Sequence, residues 1–166
     1  MKTAFIIIDV QNILVETGFE IEKLLEKIAY LQEQARKQQI EIIYMQHIET
    51  PEALTSEDWQ LSPLLKRQEN EKVFQKRYNS MFKETGLKEY LDQQGIQQLV
   101  LCGMQTEYCV DTSVKVGFEY GYKLVVPEGA VTTFDGEGIP AETLNEFYEN
   151  IWAGRFADVL DYKSIF

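Results

Sequence analysis

The chain has 166 residues, of which 45% are hydrophobic and 26% charged, a composition typical of a globular domain with a buried core. Its 27 acidic residues outnumber its 16 basic ones, and the net charge of -11 argues against a nucleic-acid partner, whose phosphates require basic surfaces. No apolar run approaches the ~20 residues of a membrane helix, so no membrane partner is expected.

The first residues do not resemble a signal peptide, because Asp9 interrupts the short apolar stretch that follows Lys2. Two cysteines, Cys102 and Cys109, are too few for a disulfide framework, so both are expected to be reduced thiols. These features predict a cytoplasmic protein with a single domain over residues 1–166.

Short apolar runs alternate with amphipathic segments along the chain. In chain order we predict strand 4–8, helix 20–38, strand 40–47, strand 72–76, helix 86–94, strand 96–103, helix 106–120, strand 123–127, a long helix from Pro140 to Gly154, and strand 155–160. Residues 49–70 contain two prolines and are predicted to form a long loop with a short helical turn. Strands that alternate with helices predict an α/β fold with a parallel sheet and right-handed crossovers.

Three chemically distinctive side chains follow predicted strands. Asp9 ends the first strand, Lys76 ends the third, and Cys109 lies just after the fourth, inside the following helix. Sites in open parallel sheets form at the carboxyl ends of the strands, so these residues are expected to lie near one another. An acid, a base and a nucleophile at one sheet edge are what nucleophilic catalysis requires.

Each of these residues also has an ordinary structural interpretation. Asp9 could cap a loop by accepting backbone N–H groups, and Lys76, like the neighbouring Arg77, could simply be solvated. Cys109 could be a small buried hydrophobe, which is the interpretation we favour for Cys102.

The position of Cys109 within its helix suggests a more reactive state. If Thr106 is the N-cap, Cys109 lies in the first turn, where unpaired amides and the helix dipole favour the thiolate. A different hypothesis makes Cys109 a peroxide-sensing thiol with Cys102 as its resolving partner. Cysteines on either side of a strand-to-helix turn are poorly placed for that role, because the Cα atoms of a disulfide must come within about 7 Å.

At these residues the chain resembles the isochorismatase-like cysteine hydrolases, a superfamily that includes nicotinamidases, N-carbamoylsarcosine amidohydrolases and streptothricin hydrolases. The matching segments are "FIIIDVQN" (5–12), "IIYMQH" (42–47), "VFQKRYNSMF" (73–82), a segment over 99–135 that begins "LVLCGMQTEYCV", and "WAGRFADVL" (152–160). The resemblance implies a three-layer, Rossmann-like fold with a six-stranded, mostly parallel sheet in the order 3-2-1-4-5-6.

The resemblance also implies a catalytic triad of Asp9, Lys76 and Cys109. Cys109 would attack an amide carbonyl to form a thioester, Asp9 would carry the proton, and Lys76 would hold both groups in place and tune their pKa values. A cis peptide at Met104–Gln105 would place the backbone N–H of Gln105 beside that of Cys109 as an oxyanion hole.

Nicotinamidases carry a metal site of the form Asp-x-His with a further histidine, whereas His47 is the one histidine of this chain. We therefore expect no metal and no cofactor, and we expect His47 to steady a loop at the pocket. Each aromatic residue at a pocket position could equally pack in the core. The positions at which family members line their pockets are Gln11, His47, Trp59, Tyr78, Phe82, Tyr108 and Phe134.

The function implied by these matches is a metal-independent cysteine hydrolase that cleaves a C–N bond of a small, largely neutral amide, ureide or lactam. The alternative is a catalytically idle relative that binds a small molecule or a partner. The resemblance further implies a homodimer or higher homo-oligomer, in which a neighbouring subunit often completes the pocket.

Overall fold

A parallel β-sheet forms the middle layer of the fold. The computed structural model describes residues 1–166. The strands follow the order β3-β2-β1-β4-β5-β7, and the two-residue strand β6 pairs with the end of β4. They are β1 (Thr3–Ile8), β2 (Glu41–His47), β3 (Lys72–Lys76), β4 (Gln98–Met104), β5 (Lys123–Pro127), β6 (Val131–Thr132) and β7 (Asp158–Leu160). The six predicted strands and their order are confirmed, whereas β6 is too short to produce a periodic pattern and was not predicted.

Helices cover both faces of this sheet. They are α1 (Asn12–Val15), α2 (Ile21–Lys37), α3 (Leu87–Gln93), α4 (Asp111–Glu119) and α5 (Ala141–Trp152). Pro140 precedes α5 instead of lying in its first turn. The segment 49–70 is a loop with three 3₁₀ turns, Pro51–Leu54, Glu57–Trp59 and Pro63–Leu65. None of the helices is long and apolar enough to cross a membrane.

The alternation of side chains along β1 explains the three layers. Successive side chains of a strand point to opposite faces, so a continuous apolar run buries both faces. Phe5 and Ile7 pack in one cluster with the apolar stripe of α2. Ile6 and Ile8 pack in the other cluster with residues of α3, α4 and α5.

Gly103 lies against the backbone of β1 near the end of β4, in a conformation that leaves no room for a side chain. Its φ is +124°, and a Cβ atom built there would lie 2.1 Å from the carbonyl oxygen of Ile8. The obstructing atom belongs to the backbone and cannot rotate away. The close approach of the two strand ends therefore requires glycine, and it holds the residues after Ile8 against those after Gly103.

We expect Gly103→Ala to lower the free energy of unfolding by more than about 2 kcal/mol, because it combines backbone strain with a clash. Gly95→Ala is the matched control, since Gly95 also has a positive φ of +68° but has no atom within 4 Å of the position that the added methyl group would occupy. Urea unfolding of both variants separates the clash from the strain. Equal losses in the two variants would contradict the close-approach explanation.

Candidate active site

A cleft of about 230 Å³ opens at the carboxyl ends of the central strands. Because these strands are parallel, the segments that follow them all emerge at the same edge of the sheet. The cleft therefore collects residues that are far apart in sequence. It is lined by Asp9, Leu14, His47, Glu49, Trp59, Asn79, Gln105, Tyr108 and Cys109.

At the floor of this cleft the structure brings Asp9, Lys76 and Cys109 together. Lys76 is only 1% exposed, and its Nζ lies 2.8 Å from Asp9 Oδ2 and 3.1 Å from Cys109 Sγ. The same ammonium donates to the carbonyl oxygen of Tyr78 at 3.0 Å and contacts His47 Nδ1 at 3.1 Å. A buried lysine is tolerated here because polar groups of four residues surround it. This position rules out the solvated lysine considered from the sequence.

Asp9 turns sharply out of β1 and presents a free carboxylate oxygen. Its φ is +52°, a left-handed conformation, and its N–H donates to the carbonyl of Met45 at 3.0 Å. The residue is 2% exposed, yet Oδ1 has no hydrogen-bond partner. A buried carboxylate oxygen without a partner is costly, so Oδ1 is available to a proton or to a ligand in the cleft.

The pKa values of these groups do not match the thiolate expected from the helix start. Burial raises the pKa of the Cys109 thiol to about 12, the Asp9 carboxylate acts in the same direction, and Lys76 opposes both. Burial also raises the pKa of Asp9 despite the pairing with Lys76. The pKa of His47 is lowered by burial and, secondly, by Lys76. The resting site therefore holds a neutral thiol and a neutral imidazole.

We expect alkylation of Cys109 by iodoacetamide to accelerate continuously between pH 7 and pH 10, because the reactive thiolate keeps increasing below a pKa of about 12. Mass spectrometry of the separate cysteine peptides measures the rate. Cys102 is fully buried and serves as the internal control, since it should react only after unfolding. A rate for Cys109 that levels off near neutral pH would instead indicate a thiolate at rest.

The turn between β4 and α4 differs from a simple helix start. The Met104–Gln105 peptide is cis, as the resemblance implied. Thr106 is not the N-cap: it opens a π-helical turn, Thr106–Val110, and its hydroxyl hydrogen-bonds to Asn145 at 2.6 Å. The backbone N–H of Gln105 has no acceptor within the chain. This free donor lies on a residue that lines the cleft.

The contact with Lys76 determines which nitrogen of His47 carries the proton. An ammonium only donates, so Nδ1 of the neutral ring must accept and Nε2 must hold the hydrogen. Nε2 lies 3.6 Å from Glu49 Oε1, which is too long for a normal hydrogen bond. His47 therefore presents an N–H group at the cleft.

Asp9, His47 and Cys109 form a potential set of metal ligands, since one ligand atom of each lies within 4.8 Å of the others. Lys76 Nζ already contacts all three side chains, however. A divalent cation at the same point would meet the positive charge of a fully enclosed ammonium. The arrangement fits a metal poorly, and the absence of a metal cofactor stays a prediction.

Gln11 shapes the cleft without lining it. Its side-chain N–H group donates to the carbonyls of His47 at 3.0 Å and Trp59 at 2.6 Å, and its oxygen accepts the N–H of His47 at 2.8 Å. These bonds fasten the loop after β2 to the end of β1. Gln11 is fully buried by them, so the sequence-based placement in the pocket lining does not match its position.

Three further pocket candidates lie elsewhere, whereas Trp59 and Tyr108 do line the cleft. Phe82 stacks on Tyr122 in the core, with ring centroids 6.0 Å apart. Phe134 packs against the cluster on the opposite face of the sheet. The ring of Tyr78 lies in a separate depression, beneath the ammonium of Lys83. Some aromatic residues near the strand ends therefore line the cleft and others pack elsewhere, and the residue type alone does not predict which.

Leu14, Glu49 and Asn79 also line the cleft but were not predicted. Asn79 Oδ1 lies 3.8 Å from Cys109 Sγ. Their positions in the sequence could have indicated this. Glu49 lies two residues beyond His47, and Asn79 lies three residues beyond Lys76, and His47 and Lys76 both end strands.

The two cysteines lie on opposite faces of the sheet. Cys102 packs in the cluster beneath α2, and Cys109 packs in the cluster of the other face. Cys102 faces α2 because side chains alternate along β4, whereas Cys109 lies beyond β4, in the π-helical turn Thr106–Val110, and packs in the cluster of the other face. The sheet stands between the two thiols, so the structure offers no support for a resolving disulfide.

The fold and the site together define a class: a three-layer α/β protein whose strand ends hold a thiol, a carboxylate and an ammonium group. The isochorismatase domain family matches residues 3–162. An uncharacterized isochorismatase family protein of Bacillus subtilis, YddQ, is 27% identical over an alignment of 172 residues that covers 96% of each chain. A streptothricin hydrolase of Streptomyces noursei is 29% identical over an alignment of 144 residues that covers 83% of this chain and 51% of that enzyme.

Solved structures agree with these sequence matches. The crystal structure of an isochorismatase from Pseudomonas putida is similar with a TM-score of 0.92 and 28% identity, covering 99% of this chain and 90% of that one. The chain belongs to the isochorismatase family and is a hydrolase of that family.

Proposed function

We propose that this hydrolase is a metal-independent cysteine hydrolase that cleaves a C–N bond of a small amide, ureide or lactam through a thioester on Cys109. The observation that carries the proposal is the position of Lys76 Nζ, which contacts both Asp9 Oδ2 and Cys109 Sγ at the floor of an open cleft. The similarity of this chain to a protein named streptothricin hydrolase also supports a hydrolytic reaction.

In the first step Cys109 Sγ attacks the substrate carbonyl carbon and its proton passes to Asp9. A thiol whose pKa is about 12 is protonated at neutral pH, so attack and proton transfer are coupled in this mechanism. The raised pKa of Asp9 makes its carboxylate a stronger base than an exposed aspartate. The free Oδ1 is the natural acceptor of the proton.

The carbonyl oxygen becomes an oxyanion in the same step. The unbonded N–H of Gln105 is one proposed donor to it, and the N–H of Cys109 is the second. The intermediate then collapses: the C–N bond breaks, Asp9 returns its proton to the departing nitrogen, and a thioester to Cys109 remains.

Water completes the reaction by attacking the thioester carbon while Asp9 accepts one of its protons. The C–S bond breaks, Asp9 passes this proton to the departing sulfur, the carboxylic acid leaves, and both the thiol of Cys109 and the Asp9 carboxylate are restored. Lys76 neither gains nor loses a proton in this scheme. Its charge keeps Asp9 ionised inside the protein and holds the thiol beside it.

The proposal is tested by incubating the protein with a panel of small primary amides, ureides and lactams and measuring ammonia or amine release. We expect hydrolysis that a chelator leaves unchanged. Acid quenching during turnover should yield an intact mass increased by the acyl group, which peptide mapping places on Cys109. Turnover that requires added metal, or an acyl group on another residue, would contradict the mechanism. No turnover and no adduct across the panel would favour the idle relative.

A further inference from the structure

We propose that the cleft selects substrates that carry a positively charged group, an ammonium or a guanidinium, away from the scissile bond, and that Glu49 recognises this group. The inference rests on the proposed function, since it names the substrate class of the same site. It departs from the largely neutral substrate expected from the sequence.

The formal charges of the cleft support this assignment. Asp9 is neutralised by Lys76, and Cys109 and His47 are neutral at rest. Glu49 is then the one charged group of the lining without an opposite charge. Its side chain is 65% exposed, and its single polar contact is the 3.6 Å approach to His47 Nε2. The carboxylate is therefore free to bind a cation in the cleft.

The loop above the cleft strengthens the negative potential. Residues 48–65 contain four acidic residues and no lysine or arginine. Arg77 and Lys83 line a separate depression together with Tyr78 and do not line the cleft. A cation that enters is attracted by this field and by the net charge of the whole chain, whereas an anion is repelled.

Two aromatic rings complete a cation-binding wall. Trp59 lies beside His47, with ring centroids 6.1 Å apart, and its carbonyl is held by the side-chain amides of Gln11 and Gln46. Tyr108 is 52% exposed at the cleft. Aromatic faces attract ammonium and guanidinium groups, and the attraction grows where water is excluded.

A second observation indicates that a ligand belongs in this cleft. Asp9 Oδ1 is buried in the lining without a partner, and the N–H of Gln105 in the same lining has no acceptor. The floor of the cleft thus holds an unused acceptor and an unused donor, which suit the reacting amide. Glu49 and the aromatic rings suit the remainder of the molecule.

The test compares three methanethiosulfonate reagents, with trimethylammonium, neutral and sulfonate ends, as probes of Cys109. Each labelling rate, followed by mass spectrometry, is divided by the rate of the same reagent with 2-mercaptoethanol. We expect the cationic reagent to react fastest and the anionic one slowest. Glu49→Gln should lower the ratio of cationic to neutral rates about fivefold.

Glu52→Gln is the matched control, because Glu52 lies exposed in the same loop but outside the lining. An equal effect of both substitutions would show that the net charge, and not Glu49, sets the preference, and would overturn the assignment. Equal normalised rates for the three reagents would also overturn it while leaving the proposed function intact. If no reagent labels Cys109 in the folded protein, the cleft is closed to ligands and both proposals fail.

Hydrolysis of matched amides gives an independent readout. 4-Aminobutanamide and pentanamide have the same length and differ in one charged end. We expect a higher kcat/KM for the former, and Glu49→Gln should bring the ratio of the two kcat/KM values close to one. Cys109-dependent hydrolysis of both amides at equal rates would refute only the charge selection.

Discussion

Cys109→Ala is expected to lower kcat by about 10⁴-fold or more, because removal of a nucleophile leaves only substrate binding and the oxyanion hole. No other group of the cleft can replace it: Asp9 is paired with Lys76, and the carbonyl chemistry proposed here needs a covalent intermediate. Ammonia release from an amide accepted by the parent protein measures the effect. The substitution removes one small side chain that is 8% exposed, so a large loss of folding stability is not expected to confuse the result.

Cys102→Ala is the matched control for this experiment. Cys102 is also a buried thiol of the β4 region, but it packs beneath α2 on the far face of the sheet. The control should lose some stability through a small cavity and keep its kcat. Comparable kcat values for Cys109→Ala and the parent would contradict the proposed mechanism, as would equal losses in the two variants.

Lys76→Met should produce the largest loss of stability, since it leaves the carboxylate of Asp9 buried without its cation. Breaking a buried ion pair from one side costs about 3–5 kcal/mol. Lys115→Met is a suitable control, because the pair of Lys115 with Asp111 has a similar length of 2.8 Å but a lysine that is 40% exposed. That control should lose less than about 1 kcal/mol. Urea unfolding measures both values.

The loss in Lys76→Met should depend on pH in a defined direction. The pKa of Asp9 is already raised by burial and would rise further without the ammonium. The folded variant then retains a proton that the unfolded chain releases near its ordinary pKa of about 3.9. Because the unfolded state binds fewer protons, the free energy of unfolding falls as pH rises through this interval. We expect a smaller loss at pH 5 than at pH 8.

The double variant Asp9→Asn with Lys76→Met separates the unpaired charge from altered packing. Asparagine has nearly the shape of aspartate and tolerates the left-handed conformation at position 9, where φ is +52°. If the unpaired charge causes the loss, the double variant should be more stable than Lys76→Met at pH 8 and insensitive to this pH change. A double variant as unstable as the single one would place the cause in the packing of the methionine.

Local pattern was sufficient to predict much of this fold. The apolar run of β1 and the amphipathic stripe of α2 depend on side chains only two to four positions apart, so sequence alone reveals them. The strand order required the resemblance to a known family, because pairing between distant strands leaves no local pattern. Asp9 and Lys76 could be predicted as site residues because charged residues at the carboxyl ends of parallel strands lie at the same edge of the sheet.

The chemistry of the site was less accessible from the sequence. A helix start beside Cys109 suggested a thiolate, but the folded chain surrounds the sulfur with apolar atoms and a carboxylate, and burial outweighs Lys76. The lining was equally hidden, since Phe82 faces the core whereas Tyr108 faces the cleft. Such choices depend on neighbours from all parts of the chain.

The sequence by itself thus determined the alternation of strands and helices, the positions of Asp9 and Lys76 at strand ends, and the position of Cys109 shortly after the fourth strand. Only the tertiary structure decided that one buried ammonium joins Asp9 to Cys109, that the thiol is neutral at rest, and that Glu49 is left without a cation. The physical reason is that secondary structure follows from short-range periodicity. Desolvation and charge pairing, in contrast, depend on distances that exist only after the whole chain has folded.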